Sequence, residues 1–464
     1  MQRWRPARRE QARELLGPGL ISLILLALFS RPFVAGVIAH QRDTAAFYYP
    51  LTAWFAQELQ AGRFPFWCPL IFGGYPLLAD GEIGMLYPPN ILALLTLRSD
   101  VAFVLVRTAH YFVAGLGTYA LGRVLGAGRL ASAYGGICFA FGGFMIGHLD
   151  HGNIVRSAAW LPGMLACADL GLRARGRHAL AWTMLAATAL ALAGLGLHPQ
   201  VLLIDLVALW TYLPLRALAW DPRGRLGRLA LVLGGTTLLG LAAAAVQLAP
   251  TYQLGLLSSR GEGVPYVNAA AGALSPFDLA TLVLPFLFRA DPSNVWSLYP
   301  YWETTLYVGL VGTLLAPIGL ILGRRRASLP LAGLGISGLA LSMADQFPLD
   351  LYHWLWTLPG FSAMRMPGRY SLVIELALAL LAGIGLDRVV TKAGSRLAWR
   401  VVRGVGVLVL IVTASLAGAR LWLQAEEVGS LQAIRTSYLT LPHDRAALSA
   451  DQVRQGLLAT LDLA

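Results

Sequence analysis

The sequence predicts an all-α polytopic membrane protein. Hydrophobic residues make up 57% of its 464 positions and charged residues only 13%, where a soluble globular chain carries about 25% charged residues. The mean hydropathy is +0.62. Apolar runs recur at the roughly 20-residue length that crosses a bilayer as a helix. About 11 spans are expected, near 19–38, 100–121, 130–147, 154–170, 179–197, 200–217, 229–250, 304–322, 329–343, 370–386 and 404–423. Several are short or interrupted by Gly and Pro, which suits tilted or irregular helices packed inside a bundle.

Charge sets the expected topology. The formal net charge is +12, from 36 basic residues of which all but one are Arg. In a soluble chain this would point to nucleic acid. Here the basic residues crowd the short loops between spans, so they read as orientation signals, with contact to anionic lipid as a second use and no nucleic-acid partner. With the N-terminus cytoplasmic, 22 basic residues fall in cytoplasmic segments and 7 in the opposite loops before the C-terminal tail. The Arg-rich N-terminus is expected to be an uncleaved anchor rather than a cleaved signal peptide. The acids run the other way. Asp43, Asp80, Glu82, Asp150, Glu262, Glu303 and Asp350 are all expected outside. Acids contribute little to topology, so chemistry on the outer face is one cause of their placement.

Three outer segments stand out. Residues 39–98 form a long first loop, rich in aromatics, prolines and carboxylates. Within it, Thr44 to Gln60 places Phe47, Leu51, Trp54, Phe55 and Leu59 at helical spacing, the pattern of a helix lying in the interface plane or packed on other loops. Residues 251–303 contain LATLVLPFLF, too short to span and suited to a re-entrant or interfacial piece. Residues 344–369 are the third. Residues 1–423 are thus read as one transmembrane module and 424–464 as a soluble tail that starts outside and stops without a closing element. Cys68, Cys138 and Cys167 show no metal or redox spacing and no disulfide framework.

Several constellations offer chemistry, each beside a plainer role. Asp43, in QRDTAAFYYP, is placed to act as a general base or metal ligand near the membrane surface, or to cap the helix that follows. Asp80 and Glu82, one residue apart around Gly81, suit sugar chemistry or metal coordination if both reach one cavity, and otherwise are solvated turn acids. Trp67, Tyr75 and Tyr87 fit an interfacial aromatic belt or a sugar-stacking surface. His148, Asp150 and His151, in GHLDHGN, suit a metal or a proton relay, or a polar loop end. His198 lies on the same face and reads as a packed, hydrogen-bonded histidine. Arg365 and Arg369, in FSAMRMPGRY, break the positive-inside trend. With Pro367 opening a helix, they offer an anion site, or else snorkel to the interface.

The order Asp43, then Tyr49-Pro50, then Gly62-Arg63-Phe64-Pro65-Phe66-Trp67-Cys68-Pro69, then Gly74-Tyr75-Pro76, then Tyr87-Pro88 resembles the first external loop of YfhO-like bacterial membrane proteins, in the broad GT-C class of glycosyltransferases. MRMPGRY resembles that family's later Arg-Pro-Arg segment, and Cys68 stands where the family usually has Asn. The resemblance implies a GT-C-like fold in the bacterial cytoplasmic membrane. It also implies a polyprenyl-phosphate sugar donor, an inverting transfer on the extracytoplasmic face, and a cell-envelope glycan, lipid or protein as acceptor. Asp43 would take the acceptor's proton, and Arg365 and Arg369 would hold the lipid phosphate. Metal dependence stays open: Asp43, Asp80, Glu82 and Asp150 offer oxygens to a divalent cation, but their spacing fixes no geometry.

Two other readings compete. Asp205 and Glu375 fall inside predicted spans, where ionisable residues mark pathways or face a bundle interior. They would serve a transporter or flippase for a lipid-linked glycan. A non-catalytic scaffold of an envelope complex would need no external acid at all. The chain has no phosphate-binding Gly-rich loop and no nucleotide fingerprint, which argues against an ATP-driven pump.

Overall fold

The computed structural model describes residues 16–34, 43–220, 226–285 and 300–391, with scattered positions between 396 and 418. The expected span at 404–423, but for those positions, and the tail from 424 lie outside the described residues. The regular structure described is helical apart from one isolated bridge between Cys68 and Tyr75.

Among the described residues, six helices are long and apolar enough to cross a membrane: Ser99–Leu125, Arg129–Gly147, Arg177–Leu195, Pro199–Ala219, Leu226–Leu256 and Arg325–Gln346. In chain order the main helices are α1 (Leu16–Val34), α2 (Tyr49–Gln60), α3 (Pro88–Thr96), α4 (Ser99–Leu125), α5 (Arg129–Ala140), α6 (Gly143–Gly147), α7 (Gly152–Ala158), α8 (Leu161–Arg173), α9 (Arg177–Leu195), α10 (Pro199–Trp220), α11 (Leu226–Leu256), α12 (Leu310–Leu322), α13 (Arg325–Met343), α14 (Leu351–Trp356) and α15 (Ser371–Thr391). Three expected spans differ from continuous helices, the one at 304–322 being continuously helical only over Leu310–Leu322. The one at 130–147 breaks between α5 and α6, and the one at 154–170 between α7 and α8. The first break has a visible cause. Both oxygens of Glu375, on α15, accept from the Phe144 backbone N–H at 2.9 and 3.0 Å. A Cβ on Gly142 would meet Glu375 Oε2 at 2.4 Å, so the break exists to admit that carboxylate.

Glycine lets the bundle close. A methyl at Gly319 of α12 would collide with the Leu381 carbonyl of α15, and one at Gly385 with the Leu315 carbonyl. A Cβ on Gly383 would lie 2.6 Å from the Ala131 carbonyl of α5. Three helices therefore meet backbone to backbone, the small-residue packing that lipid favours.

The loops segregate to two ends. At the Arg-rich end, Asp387 Oδ1 accepts from Gly128 N–H at 2.9 Å and caps α5. There Asp169 is buried and bound by Arg173 at 2.5 Å, Arg216 at 2.7 Å and the Tyr212 hydroxyl at 2.8 Å. Arg216 also reaches the Arg326 carbonyl. At the opposite end the first loop is stapled to the bundle. Gln247 donates to Leu78 O at 2.8 Å and Thr251 to Ala79 O at 2.7 Å, while buried Arg156 donates to Glu82 O and Gly196 O. The stretch expected as an interfacial helix is a π-helical turn, Thr44–Tyr48, continued by α2. It turns Leu51, Phe55 and Ala56 into a core with Leu77, Ile83, Met85 and Leu94. Packing within the loop, rather than lipid, accounts for that apolar face. In the 251–303 segment, Pro276–Leu282 is a 3₁₀ helix closed by a reciprocal Ser275–Asp278 cap.

The glycine contacts predict a clear contrast. Gly319→Ala forces a methyl against a carbonyl and should cost about 1–3 kcal/mol as overpacking, lowering the thermal unfolding midpoint in detergent. Gly234→Ala, where an added methyl meets open space, should not lower it.

Candidate functional site

At the end that carries the first loop, an arginine and a glutamate form the centre of a polar network. Arg369 sits in the 3₁₀ turn Pro367–Tyr370, entered through Met366 in the left-handed region at φ 61°. That strained entry is held by backbone hydrogen bonds from Met366 to Ala271 O at 3.1 Å and from Gly368 to Gly272 O at 3.0 Å. Only glycine fits at 368, because a Cβ there would lie 2.6 Å from both the Glu303 and Gly272 carbonyls. The turn thereby presses Arg369 onto Glu303, in the one-turn helix Tyr301–Thr304.

The guanidinium grips Glu303 with two bonds, Nε to Oε2 at 2.8 Å and Nη2 to Oε1 at 2.6 Å. Its Nη1 donates to Gln200 Oε1 at 3.0 Å and faces His198 Nε2 at 3.2 Å. Such a fork is the strong form of an ion pair. Burial opposes the charge on Glu303, but Arg369 and the nearby His148 outweigh it and hold the carboxyl well below its ordinary range. Burial and Arg369 together hold His198 well below the usual imidazole range.

From Glu303 the network runs to Asp43. His148 Nε2 lies 3.7 Å from Glu303 Oε2, too long for a hydrogen bond but close for a charge. The His148 ring is fixed by its Nδ1 contact to Phe144 O at 2.8 Å, and Phe144 is the residue that Glu375 anchors. The His151 ring stands between His148 and Trp302, at centroid distances of 5.5 and 5.8 Å. Its Nε2 lies 3.6 Å from Asp43 Oδ2, with the Asp43 side chain 62% exposed and that of His151 17% exposed. Burial, then the charges of His148 and Arg369, push His151 down to about 4 against the opposing pull of Glu303 and Asp43. His151 is therefore a neutral imidazole at pH 7, beside the exposed Asp43 side chain. Asp43 precedes the π-helical turn, yet its side chain makes no capping hydrogen bond.

The second acid pair lies alongside. Gly81 takes the left-handed conformation at φ 69°, which turns Glu82 back toward Asp80. Tyr75 donates to Asp80 at 2.7 Å and Tyr48 to Glu82 at 3.0 Å. Burial raises both carboxyls, and for Glu82 the charge of Asp80 adds to it. Tyr48 also feels Asp43, so one phenol stands between the two acid groups.

Other expected residues fall elsewhere. Tyr87 is fully buried, its hydroxyl 2.6 Å from His110 Nε2 and accepting from Trp160 at 3.0 Å. It is a packing residue and belongs neither to a belt nor to a stacking surface. His148, Asp150 and His151 do not converge. His148 turns to Glu303 and His151 to Asp43, while the Asp150 backbone carbonyl accepts from Thr44 at 3.0 Å. Among the described residues, no group of three or more His, Cys, Asp or Glu side chains is arranged to hold a metal ion. Asp43, Asp80 and Glu82 face His151, Tyr75 and Tyr48 respectively.

Arg365 is exposed, and so is Arg260, which sequence reasoning passed over. Neither has an ion-pair partner among the described residues. Burial, then the charges of Arg365 and Arg369, lower the Arg260 guanidinium, so these cations share one field. Glu303, Gln200 and Arg260 are the residues the sequence did not single out. The only available signal was the excess of acids and the scarcity of arginines in the outer loops.

No family model matches the chain, and no curated protein matches it. Among solved structures it is similar to ArnT from Cupriavidus metallidurans bound to undecaprenyl phosphate, with 14% identity, a TM-score of 0.47, and coverage of 95% of this chain and 74% of that one. A likeness at that level assigns neither fold nor site, which rest on the helices and side chains described above.

The network predicts an acid-labile element. Glu303 has a folded value below its ordinary 4.5. Its stabilisation is therefore complete above about pH 4.5 and is lost as pH falls through the folded value. Unfolding midpoints measured from pH 7 to pH 3 should fall for the parent chain. Glu303→Gln should start lower at pH 7, by about 3 kcal/mol for a broken buried pair, and should decline less steeply. Parallel curves would remove Glu303 from this role.

Proposed function

We propose that the chain is a membrane glycosyltransferase that moves a sugar from a polyprenyl-phosphate donor to a cell-envelope acceptor, in the manner of the GT-C class that its first loop resembles. The observation that carries this reading is the continuity of the polar network from Asp43 through His151, His148 and Glu303 to Arg369. An acid able to take a proton and cations able to hold a phosphate thereby share one end of the bundle. By the distribution of arginines, that end is extracytoplasmic.

The roles follow from availability. Arg369 is occupied by Glu303, His198 and Gln200, so it organises the site. Arg365 and Arg260 are exposed and mutually repelling, and a phosphate between them would relieve that repulsion while gaining charge-assisted hydrogen bonds. A guanidinium pair would also stabilise the charge that develops on the leaving polyprenyl phosphate. Asp43, exposed beside His151, takes the acceptor's proton as the acceptor oxygen attacks the anomeric carbon and the carbon–phosphate-oxygen bond breaks. A single displacement of this kind inverts the anomeric centre. Glu82 and Asp80, with Tyr48 and Tyr75, offer acceptors and donors for sugar hydroxyls. The donor is already activated by its phosphate bond, so no nucleotide is needed.

The transport reading retains one intramembrane acid. Glu375 is occupied in anchoring Phe144, whereas both oxygens of buried Asp205 lack a hydrogen-bond partner among the described residues.

Reconstitution with a polyprenyl-phosphate sugar tests the proposal. Asp43→Asn should lower the rate of sugar transfer by roughly 10²–10⁴-fold, the usual worth of a general base, with donor binding kept. Arg365→Ala and Arg260→Ala should each raise the apparent donor KM by roughly tenfold or more, as the loss of a charged hydrogen bond implies. Full activity of Asp43→Asn would refute the assignment. Loss of activity in Asp205→Asn, with Asp43→Asn unaffected, would favour transport.

A further inference from the structure

The first loop contains a second feature that the transfer chemistry does not use. Between Arg63 and Asp80 the chain has no charged residue. In the middle of that stretch four large apolar side chains face outward: Phe66 at 65% exposure, Trp67 at 55%, Leu70 at 66% and Phe72 at 82%. They lie on no membrane-spanning helix.

The segment is built rigidly. Cys68 and Tyr75 exchange two backbone hydrogen bonds of 2.8 Å, closing a hairpin, and Leu78 N–H donates to Phe66 O at 3.3 Å. Phe64 anchors its base, with its ring edge-on to buried Phe55 at 5.7 Å. The Trp67 ring is seated over Gly74, where a Cβ would lie 2.5 Å from it. Phe72 holds a left-handed turn at φ 54°. A hairpin so constrained presents its apolar tip by construction.

Its base is tied to the neighbouring helix α3. Gln60, the last residue of α2, donates to Leu94 O at 2.8 Å. That carbonyl is near the end of α3, and α3 is followed within three residues by the start of spanning helix α4 at Ser99. The hairpin therefore leaves the loop at the height where a membrane span begins. α3 exposes Leu92 and Leu95 at this height as well. The ion pair of Arg63 with Glu58, at 2.7 Å and exposed, stands at the hairpin's base, as expected of a boundary between water and headgroups.

We propose that residues 66–72 form a membrane-dipping hairpin, with Phe66, Trp67, Leu70 and Phe72 inserted at the boundary between headgroups and acyl chains beside α4. Continuity with the spanning helix decides for lipid over a protein partner, and Trp and Phe suit that depth. The hairpin then fixes the depth of the acid pair as well, because Tyr75, on its returning strand, donates to Asp80.

Site-directed spin labelling tests this without any enzymatic assay, so the result stands apart from the sugar-transfer reading. The full chain is reconstituted in phosphatidylcholine–phosphatidylglycerol nanodiscs with a nitroxide at Phe72→Cys or, in a second chain, at Leu70→Cys. Gln57→Cys, exposed on α2, serves as the water reference. The signal of the equally treated parent chain is subtracted. The expected ratio of collisions with oxygen to collisions with a water-soluble nickel chelate is several-fold higher at both hairpin positions than at position 57. Ratios equal to that of position 57 would place the tip in water and overturn the proposal, leaving the surface to a protein partner.

Discussion

A buried carboxylate in a membrane protein must be neutralised, and the Glu303–Arg369 fork is where this chain meets that constraint at the end that carries the first loop. An isolated charge at such a place would cost several kcal/mol. The two-bond geometry avoids the cost only if both groups are held in register. The strained Met366, the obligatory glycine at 368 and the backbone bonds to Ala271 and Gly272 hold one partner. The one-turn helix Tyr301–Thr304 holds the other. Gln200 and His198 then complete the guanidinium, and His148 and His151 extend the network toward Asp43. Remove the fork, and the outer loops lose the reason for their arrangement.

Two other buried acids meet the same constraint by other means. Glu375 accepts a backbone N–H at the break between α5 and α6, which lets a spanning segment be discontinuous without stranding Phe144. The break in turn directs His148 into the network, so an acid deep in the bundle positions a histidine at its end. Asp169 at the Arg-rich end is matched by Arg173, Arg216 and Tyr212. Asp205 has no such match among the described residues, which sets it apart from them.

Much of this was legible in the sequence, and the reasons for the rest are physical. Hydropathy marked the six helices that are long and apolar enough to span among the described residues, because a bilayer imposes length and apolarity on each span separately. The distribution of arginines sorted the loops into two sets by a rule that needs no knowledge of packing. Asp43 and Arg369 could be singled out because each departs from a local rule, one as an acid beside a span and the other as an arginine in an outer loop. Glu303 stands in the sequence only as one more acid beside a span, and its partner lies 66 residues away. Pairing over that distance leaves no periodic trace. Tyr87 failed for a related reason, since an aromatic in a loop has the same letter whether it faces lipid, sugar or core. The helix break at Gly142 is encoded by Glu375, more than two hundred residues later, and no local reading reaches it.

The resulting picture is a helical bundle whose first-loop end gathers an exposed acid, a neutral histidine, a locked ion pair and two arginines without an ion-pair partner among the described residues, with an exposed apolar hairpin beside them. Its central claim is that the acid and the cations serve one anionic lipid from the same side. A cryo-EM map of the chain in nanodiscs loaded with a polyprenyl phosphate tests this most directly. The account predicts phosphate density against Arg365 and Arg260, at the end that carries Asp43. Phosphate density at the opposite end, against Arg324 to Arg326, would contradict it.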